Sequence, residues 1–272
     1  MRKISITNLA WAHENDEDAY QLMEELGFTF LEIAPSRLWK APQSVTGIEA
    51  SRLLRKLSEH KITPVAFQAI LFGRPDLTIF ENKNSRKKTF EYLQRIIDLG
   101  EKLGVQAIIF GSPKNKRRGR IPKNKAMSIA VDFFGPLGEY AINKEISFCI
   151  EATPEVYGAD FILTTKEAIE LVRASNSKGL RLNLDLGALK TEGGEVISNL
   201  EKALPFAGHF HVSEPGLRMI ELERQFHIQV ASRVNASSYQ GAISIEMLSE
   251  RKYNPENIEK VLQFVKRTYG NV

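Results

Sequence analysis

Apolar and polar residues alternate along four short runs in the second half of the chain, at 148–151, 182–185, 209–213 and 243–247. Successive side chains of a β-strand point to opposite faces, so each run predicts a strand with one apolar and one polar face. The apolar faces can be covered by helices, while the polar faces can converge on a common axis. Near the strand ends the polar faces carry Glu151, Asp185, His211 and Glu246.

The spacing of these runs predicts the fold. Neighbouring runs lie roughly thirty residues apart, the length of one strand plus one crossover helix. Four further strands are predicted upstream, at about 4–10, 28–34, 63–71 and 107–112. Eight strand-helix units predict an α/β protein, a single (β/α)8 TIM barrel over residues 1–272, with its active site at the C-terminal face of the strands. An open doubly wound sheet is the alternative fold, but no Gly-rich nucleotide fingerprint follows an early strand.

Apolar residues at helical spacing predict the covering helices between the strands. Gly135-Pro136 is expected to kink or interrupt the helix that contains it, because proline lacks a backbone N–H group. The predicted helices lie at about 16–26, 48–58, 85–103, 123–143, 165–175, 194–202, 217–235 and 255–268.

Composition supports one domain and limits the chemistry. A chain of 272 residues with 43% hydrophobic content can bury a large core. It has no apolar run of about eighteen residues, and its first residues do not resemble a signal peptide. We therefore expect a cytoplasmic protein without a membrane partner. The single cysteine, Cys149, excludes a Cys-rich zinc motif and is expected to be a small buried thiol inside the barrel.

Charge adds one more feature. The formal net charge is only +4, but residues 114–125 contain a dense cluster of lysines and arginines. Such a segment can be a solvated loop, or it can bind a phosphate-bearing substrate or a nucleic-acid backbone.

The acids and histidine at the strand ends suggest a metal site. Carboxylate and imidazole donors suit Mn²⁺, Mg²⁺, Co²⁺ or Zn²⁺, and Mn²⁺ is favoured where thiolates are lacking. Individually, each acid could instead be a paired barrel residue, and the histidine a hydrogen-bonded core residue. As a set at matching strand depth, however, the carboxylates would repel one another, and a divalent cation is the simplest relief.

The order of these ligand-bearing strands resembles the xylose-isomerase-like sugar isomerase and epimerase superfamily. The similarity includes the sequences at 209–214 (HFHVSE) and 239–246 (YQGAISIE). Within the superfamily, the chain most resembles the branch that contains ketose 3-epimerases, hydroxypyruvate isomerases and inosose dehydratases. The resemblance implies an enzyme of carbohydrate metabolism, in which homo-oligomers are common. It also implies a metal held by Glu151, Asp185, His211 and Glu246, with Glu151 and Glu246 as the catalytic acid/base pair.

One position departs from that resemblance. Many epimerases of the branch have a substrate-binding histidine three residues after the aspartate, where this chain has Ala188. Lys190 is a candidate to replace the lost donor, with a solvated lysine as the alternative. Arg218 lies in a region where the family commonly has a substrate-binding arginine, although the local spacing is unusual.

Three further residues are candidate substrate contacts. Parity places Glu32 on a face that can reach the barrel mouth, and Gln68 lies near the end of the third predicted strand. His209 lies one layer below His211, where packing or support of the metal ligands is favoured over direct coordination.

These observations predict a metal-dependent isomerase or epimerase of a sugar, sugar acid or sugar phosphate that acts through an enediolate. A dehydratase is the nearest alternative, because the same enediolate can expel a hydroxyl group. A non-catalytic metal- and sugar-binding barrel is the second. An apurinic-site endonuclease, the nucleic-acid alternative, needs a multi-metal cluster with more histidines than the 5 present.

Overall fold

The computed structural model describes residues 2–248 and 254–270, and the alternation of strands and helices closes into a barrel. All neighbouring strands are parallel, they follow one another in chain order, and the last pairs with the first. The strands are β1 (Ile4–Thr7), β2 (Phe30–Ile33), β3 (Thr63–Phe67), β4 (Ala107–Phe110), β5 (Ser147–Glu151), β6 (Leu180–Asp185), β7 (Ala207–Ser213) and β8 (Ile243–Glu246). The predicted TIM barrel is confirmed.

The helices pack around this barrel. Across residues 2–248 and 254–270, none is long and apolar enough to cross a membrane. The α-helices are α1 (Asp16–Glu25), α2 (Pro35–Leu38), α3 (Gly47–Glu59), α4 (Lys83–Leu103), α5 (Lys123–Ile142), α6 (Thr165–Ser175), α7 (Leu186–Glu192), α8 (Val196–Ala203), α9 (Arg224–Ala236) and α10 (Pro255–Tyr269).

The interruption predicted for one helix and the start predicted for another were wrong. Helix α5 continues through Pro136, which lies on its exposed face, where water can bind the carbonyl left without its helical donor. Helix α9 begins at Arg224, because the preceding segment Pro215–Leu217 forms a 3₁₀ turn with Gly216 at a positive φ of 73°. The turn places Gly216 and Leu217 in the lining of the cavity at the barrel mouth.

The lower barrel interior is filled by small and β-branched side chains. Cys149 packs there with Val65, Ala107 and Ile109, and all four are buried. Burial raises the pKa of the Cys149 thiol to about 12, so the group stays protonated and unreactive. The packing role predicted for this cysteine is confirmed, and the layer forms a closed floor beneath the polar strand ends.

Candidate metal centre

The polar faces of β5 to β8 meet at the C-terminal end of the barrel. Strands β5, β6 and β8 end at Glu151, Asp185 and Glu246. His211 lies within β7, where its register partner on β6 is Asp185. Parallel strands in register bring residues of equal depth together, so the alternation in the sequence is converted into one cluster.

The cluster is centred on His211. Its Nδ1 atom lies 3.0 Å from Glu246 Oε2, 3.7 Å from Asp185 Oδ2 and 3.8 Å from Glu151 Oε2. One donor atom each from Glu151, His211 and Glu246 lie within 4.8 Å of one another. The structure thus brings together the four residues predicted as ligands, with the histidine nitrogen facing the three carboxylates.

The other nitrogen of His211 contacts a buried acid. Its Nε2 lies 3.1 Å from Glu32 Oε1, and Glu32 is also 3.5 Å from His209 Nε2. Burial alone would raise the pKa of Glu32, but His211 and His209 outweigh it and lower the pKa below the ordinary value. Glu32 and His209 are 0% and 1% exposed and lie beneath His211 instead of on the cavity wall.

The charges at the cluster favour retention of protons. Burial, with repulsion from Glu246 and Asp185, raises the pKa of Glu151 to about 8. Burial also raises the pKa of Glu246, although His211 opposes the shift. For His211 burial favours the neutral form, but Glu32 and Glu246 raise its pKa well above the ordinary value. The proximity of these carboxyl groups therefore disfavours their charged forms.

Hydrogen bonds fix two of the carboxylates. The Asn183 amide donates to Glu151 Oε2 at 2.7 Å. Asp185 accepts from the Ser213 hydroxyl and, at 2.6 Å, from the Ala188 backbone N–H, which makes Asp185 the N-cap of α7. These bonds orient the carboxylates without filling all of their lone pairs.

A lysine of the basic segment is part of this support. Lys116 is 1% exposed, and its ammonium donates to the Glu151 carbonyl oxygen at 2.6 Å and to Thr153 Oγ1 at 2.8 Å. Burial lowers the pKa of Lys116 to about 8. Its neighbours are tied to the next loop, since Arg117 donates to the Gly158 carbonyl and Arg118 to that of Asp160.

A cavity of about 660 Å³ opens above the cluster and reaches Glu151, Asp185 and Glu246. Gln68 lines it and donates to Thr7 Oγ1 at 2.6 Å. Within the described part of the chain, no residue from 114–125 lines this cavity.

Two other predicted substrate contacts lie outside the cavity lining. Lys190 forms an ion pair with Glu214 at 2.8 Å. The side chain of Arg218 is 64% exposed and pairs with Glu221 at 3.3 Å, although its neighbour Leu217 does line the cavity.

A family model described as the xylose isomerase-like TIM barrel matches residues 20–268. The chain belongs to this family. No curated protein matches the sequence.

Solved structures of the same fold were found as well. A D-psicose 3-epimerase, solved in the presence of D-fructose, is 16% identical with a TM-score of 0.82, and the match covers 100% of both chains. A 3-keto-D-glucoside 4-epimerase from E. coli is 15% identical with a TM-score of 0.77, covering 98% of this chain and 100% of the other. The IOLI protein with a bound zinc atom is 14% identical with a TM-score of 0.75, covering 99% and 98%. At these identities the likeness shows the fold alone.

The donor set of this xylose isomerase-like barrel fits a divalent cation. The ligand atoms are carboxylate oxygens and an imidazole nitrogen, which is the mixture that Mn²⁺ and Zn²⁺ accept. The carboxylate of Glu246 is buried and that of Glu151 partly buried, and both can offer an oxygen at the same point as the His211 nitrogen. The buried glutamates and histidine can therefore hold a metal ion.

Some supporting residues could have been found in the sequence and some could not. Asn183 and Ser213 share the polar faces of their strands with the ligands two residues away, so parity alone marks them. Lys116 had no such signal, because a lysine within a basic run usually faces water. Gly111 had none either, yet a Cβ atom there would lie 2.6 Å from Glu151 Oε1.

Proposed function

We propose that this protein is a divalent-cation-dependent isomerase or epimerase of a small sugar or sugar derivative. The observation that carries the proposal is the pair Glu151 and Glu246, which face one imidazole nitrogen at the floor of a cavity. Family membership adds to it, since the TIM barrel places its chemistry at this face.

The cation would be held by Glu151, Asp185, His211 and Glu246. When bound, a divalent ion supplies Lewis-acid stabilisation of the negative charge that develops on the oxygens of a ketose during enolisation. We favour Mn²⁺ because most donors are carboxylate oxygens, while Mg²⁺, Co²⁺ and Zn²⁺ suit the same set.

Glu151 and Glu246 are proposed to move the proton. A carboxylate on one side of the sugar removes a proton from the carbon beside the carbonyl group, and the carboxylic acid on the other side returns one. Return to the opposite face of the same carbon gives epimerisation, and delivery to the neighbouring carbon gives isomerisation. Asn183 holds Glu151 in place by its 2.7 Å hydrogen bond, so the base keeps one orientation.

The basic segment gives little support to a nucleic-acid substrate. Lys116 is buried, and Arg117 and Arg118 donate to backbone carbonyls of the following loop. A nucleic-acid backbone is bound through exposed cations, and of these three only Arg117 is exposed.

The test is proton exchange. The metal-loaded protein is incubated in D₂O with ketoses, inososes and their phosphates, and deuterium at the reacting carbon is measured by mass spectrometry. We expect incorporation that is lost in both Glu151→Gln and Glu246→Gln and kept in Glu170→Gln, an exposed glutamate on α6. Absence of exchange across the panel contradicts the proposal, and a keto-deoxy product identifies a dehydratase instead.

A further inference from the structure

The cavity above the acids is larger and more apolar than a free sugar needs. Its volume of about 660 Å³ lies within the range of about 300–1,000 Å³ that holds drug-sized ligands. Glu151, Asp185 and Glu246 lie at its floor, and the fourth acid of the lining, Glu214, is paired with Lys190. Apolar side chains that form its wall include Leu9, Ile70, Phe72, Pro154, Leu217 and Leu248.

The polar side chains of the wall are largely occupied by other partners. Gln68 donates to Thr7, Ser112 donates to Asn115, and Thr153 donates to the Gly111 carbonyl. Few donors are therefore left for the hydroxyl groups of a ligand. A sugar whose every hydroxyl is buried here would lose its hydrogen bonds to water without replacing them, which costs binding free energy.

The rim of the cavity is apolar too. Phe72 is 76% exposed and Leu248 is 49% exposed, and both line the cavity. The Leu248 backbone N–H donates to the Leu217 carbonyl at 2.9 Å, so these two leucines form one continuous edge. Large apolar side chains that stay exposed around an opening indicate a surface that an apolar group covers.

We propose that the substrate is a sugar derivative that carries an apolar substituent, such as an aryl or long alkyl glycoside. The inference rests on the proposed isomerase or epimerase function. The sugar ring, with its hydroxyl and carbonyl groups, lies beside Glu151 and Glu246 at the floor of the cavity. The apolar substituent extends toward the opening and packs against Phe72 and Leu217. This arrangement matches each half of the ligand to a wall of its own polarity.

The experiment compares two ligands that differ only in the substituent. Binding of phenyl and methyl glycosides of glucose and of 3-keto-glucose to the metal-loaded protein is measured by calorimetry. We expect the phenyl compounds to bind about ten- to a hundredfold more tightly, from burial of the ring. Phe72→Ala should reduce that ratio, while Ile48→Ala, an equally exposed apolar residue outside the cavity lining, should leave it unchanged.

The outcomes separate the two proposals. Equal affinity of the phenyl and methyl compounds, or a preference that is the same in Phe72→Ala, overturns the apolar-substituent inference. Deuterium exchange is measured on the same 3-keto compounds. A clear phenyl preference without any exchange overturns the proposed reaction but leaves the selectivity of the cavity established.

Discussion

His211 Nε2 lies 3.1 Å from Glu32 Oε1, and both residues are fully buried. If a cation were bound, this contact would keep the proton on Nε2 and leave Nδ1, which lies 3.0 Å from Glu246 Oε2, available as the ligand atom. A carboxylate behind a ligating histidine fixes the ring and makes its nitrogen a better donor. Glu32 therefore contacts His211 and lies outside the cavity lining, where the sequence had suggested a substrate contact.

Replacing Glu32 by glutamine should weaken cation binding. The amide keeps the size of the side chain but removes the negative charge, so cation affinity should fall by about ten- to a hundredfold. Calorimetric titration with Mn²⁺ measures this, and Glu17→Gln, an acid with 63% of its side chain exposed, is the matched control. An unchanged affinity in a folded Glu32→Gln variant would show that the contact is only structural.

Cation affinity should increase with pH between about pH 6 and about pH 8, because ligands must lose their protons to coordinate. In the metal-free protein the pKa of Glu151 is raised to about 8 and that of His211 is raised as well, so both hold protons at neutral pH. Binding then releases protons, which calorimetry in buffers of different ionisation enthalpy detects. Glu151→Gln should release fewer, and an affinity that is flat with pH would contradict the expectation.

Gly111→Ala should disturb the site from the residue that follows β4, a strand that carries none of the proposed ligands. Its Cβ would lie 2.6 Å from Glu151 Oε1, so the carboxylate must move. We expect lower cation affinity and a stability loss of about 1–3 kcal/mol, as for other overpacked positions. Gly47→Ala is the control, since nothing lies within 4 Å of a Cβ there. Equal thermal unfolding and equal affinity in the two variants would refute the prediction.

Lys116→Met should destabilise the protein and weaken the site. It removes a buried donor from the Glu151 carbonyl and from Thr153, which costs about 1–3 kcal/mol. It also removes a cation that lowers the pKa of Glu151, so this acid should hold its proton more strongly and bind metal less well at neutral pH. Denaturant unfolding and calorimetry measure both effects. Lys114→Met, at an exposed position, should show neither.

The sequence predicted the barrel because its strands show consistent parity. Alternation at 148–151 and 182–185 indicates which face of each strand is apolar and which residue ends the strand. In a parallel barrel the C-terminal ends of all strands lie at the same face, so these end residues come together. Fold, strand order and the grouping of acids around His211 follow from this local signal. Helix α6 was predicted with the bounds the structure shows, Thr165–Ser175.

The positions of the Glu32 and Lys116 side chains could not be predicted, because they depend on contacts between segments that are distant in sequence. Parity placed Glu32 in the barrel but could not give its depth, which is set by the irregular register between β2 and β3. Lys116 is buried by its contacts to β5 and the following loop, and those contacts have no pattern in the basic run. Arg218 was assigned by resemblance, and the 3₁₀ turn before it directs the side chain to Glu221.

The pairing of Glu32 with His211 also bears on how the chain folds. The two residues are 179 positions apart, on β2 and β7. Bringing such distant segments together is slow, because chain entropy is lost before the contact is gained. The three acids and the histidine of β5 to β8 can assemble within the second half of the chain, but Glu32, which contacts His211 from β2, arrives only with the N-terminal strands. Competence to bind a cation with full affinity is therefore expected to appear late in refolding, with closure of the ring.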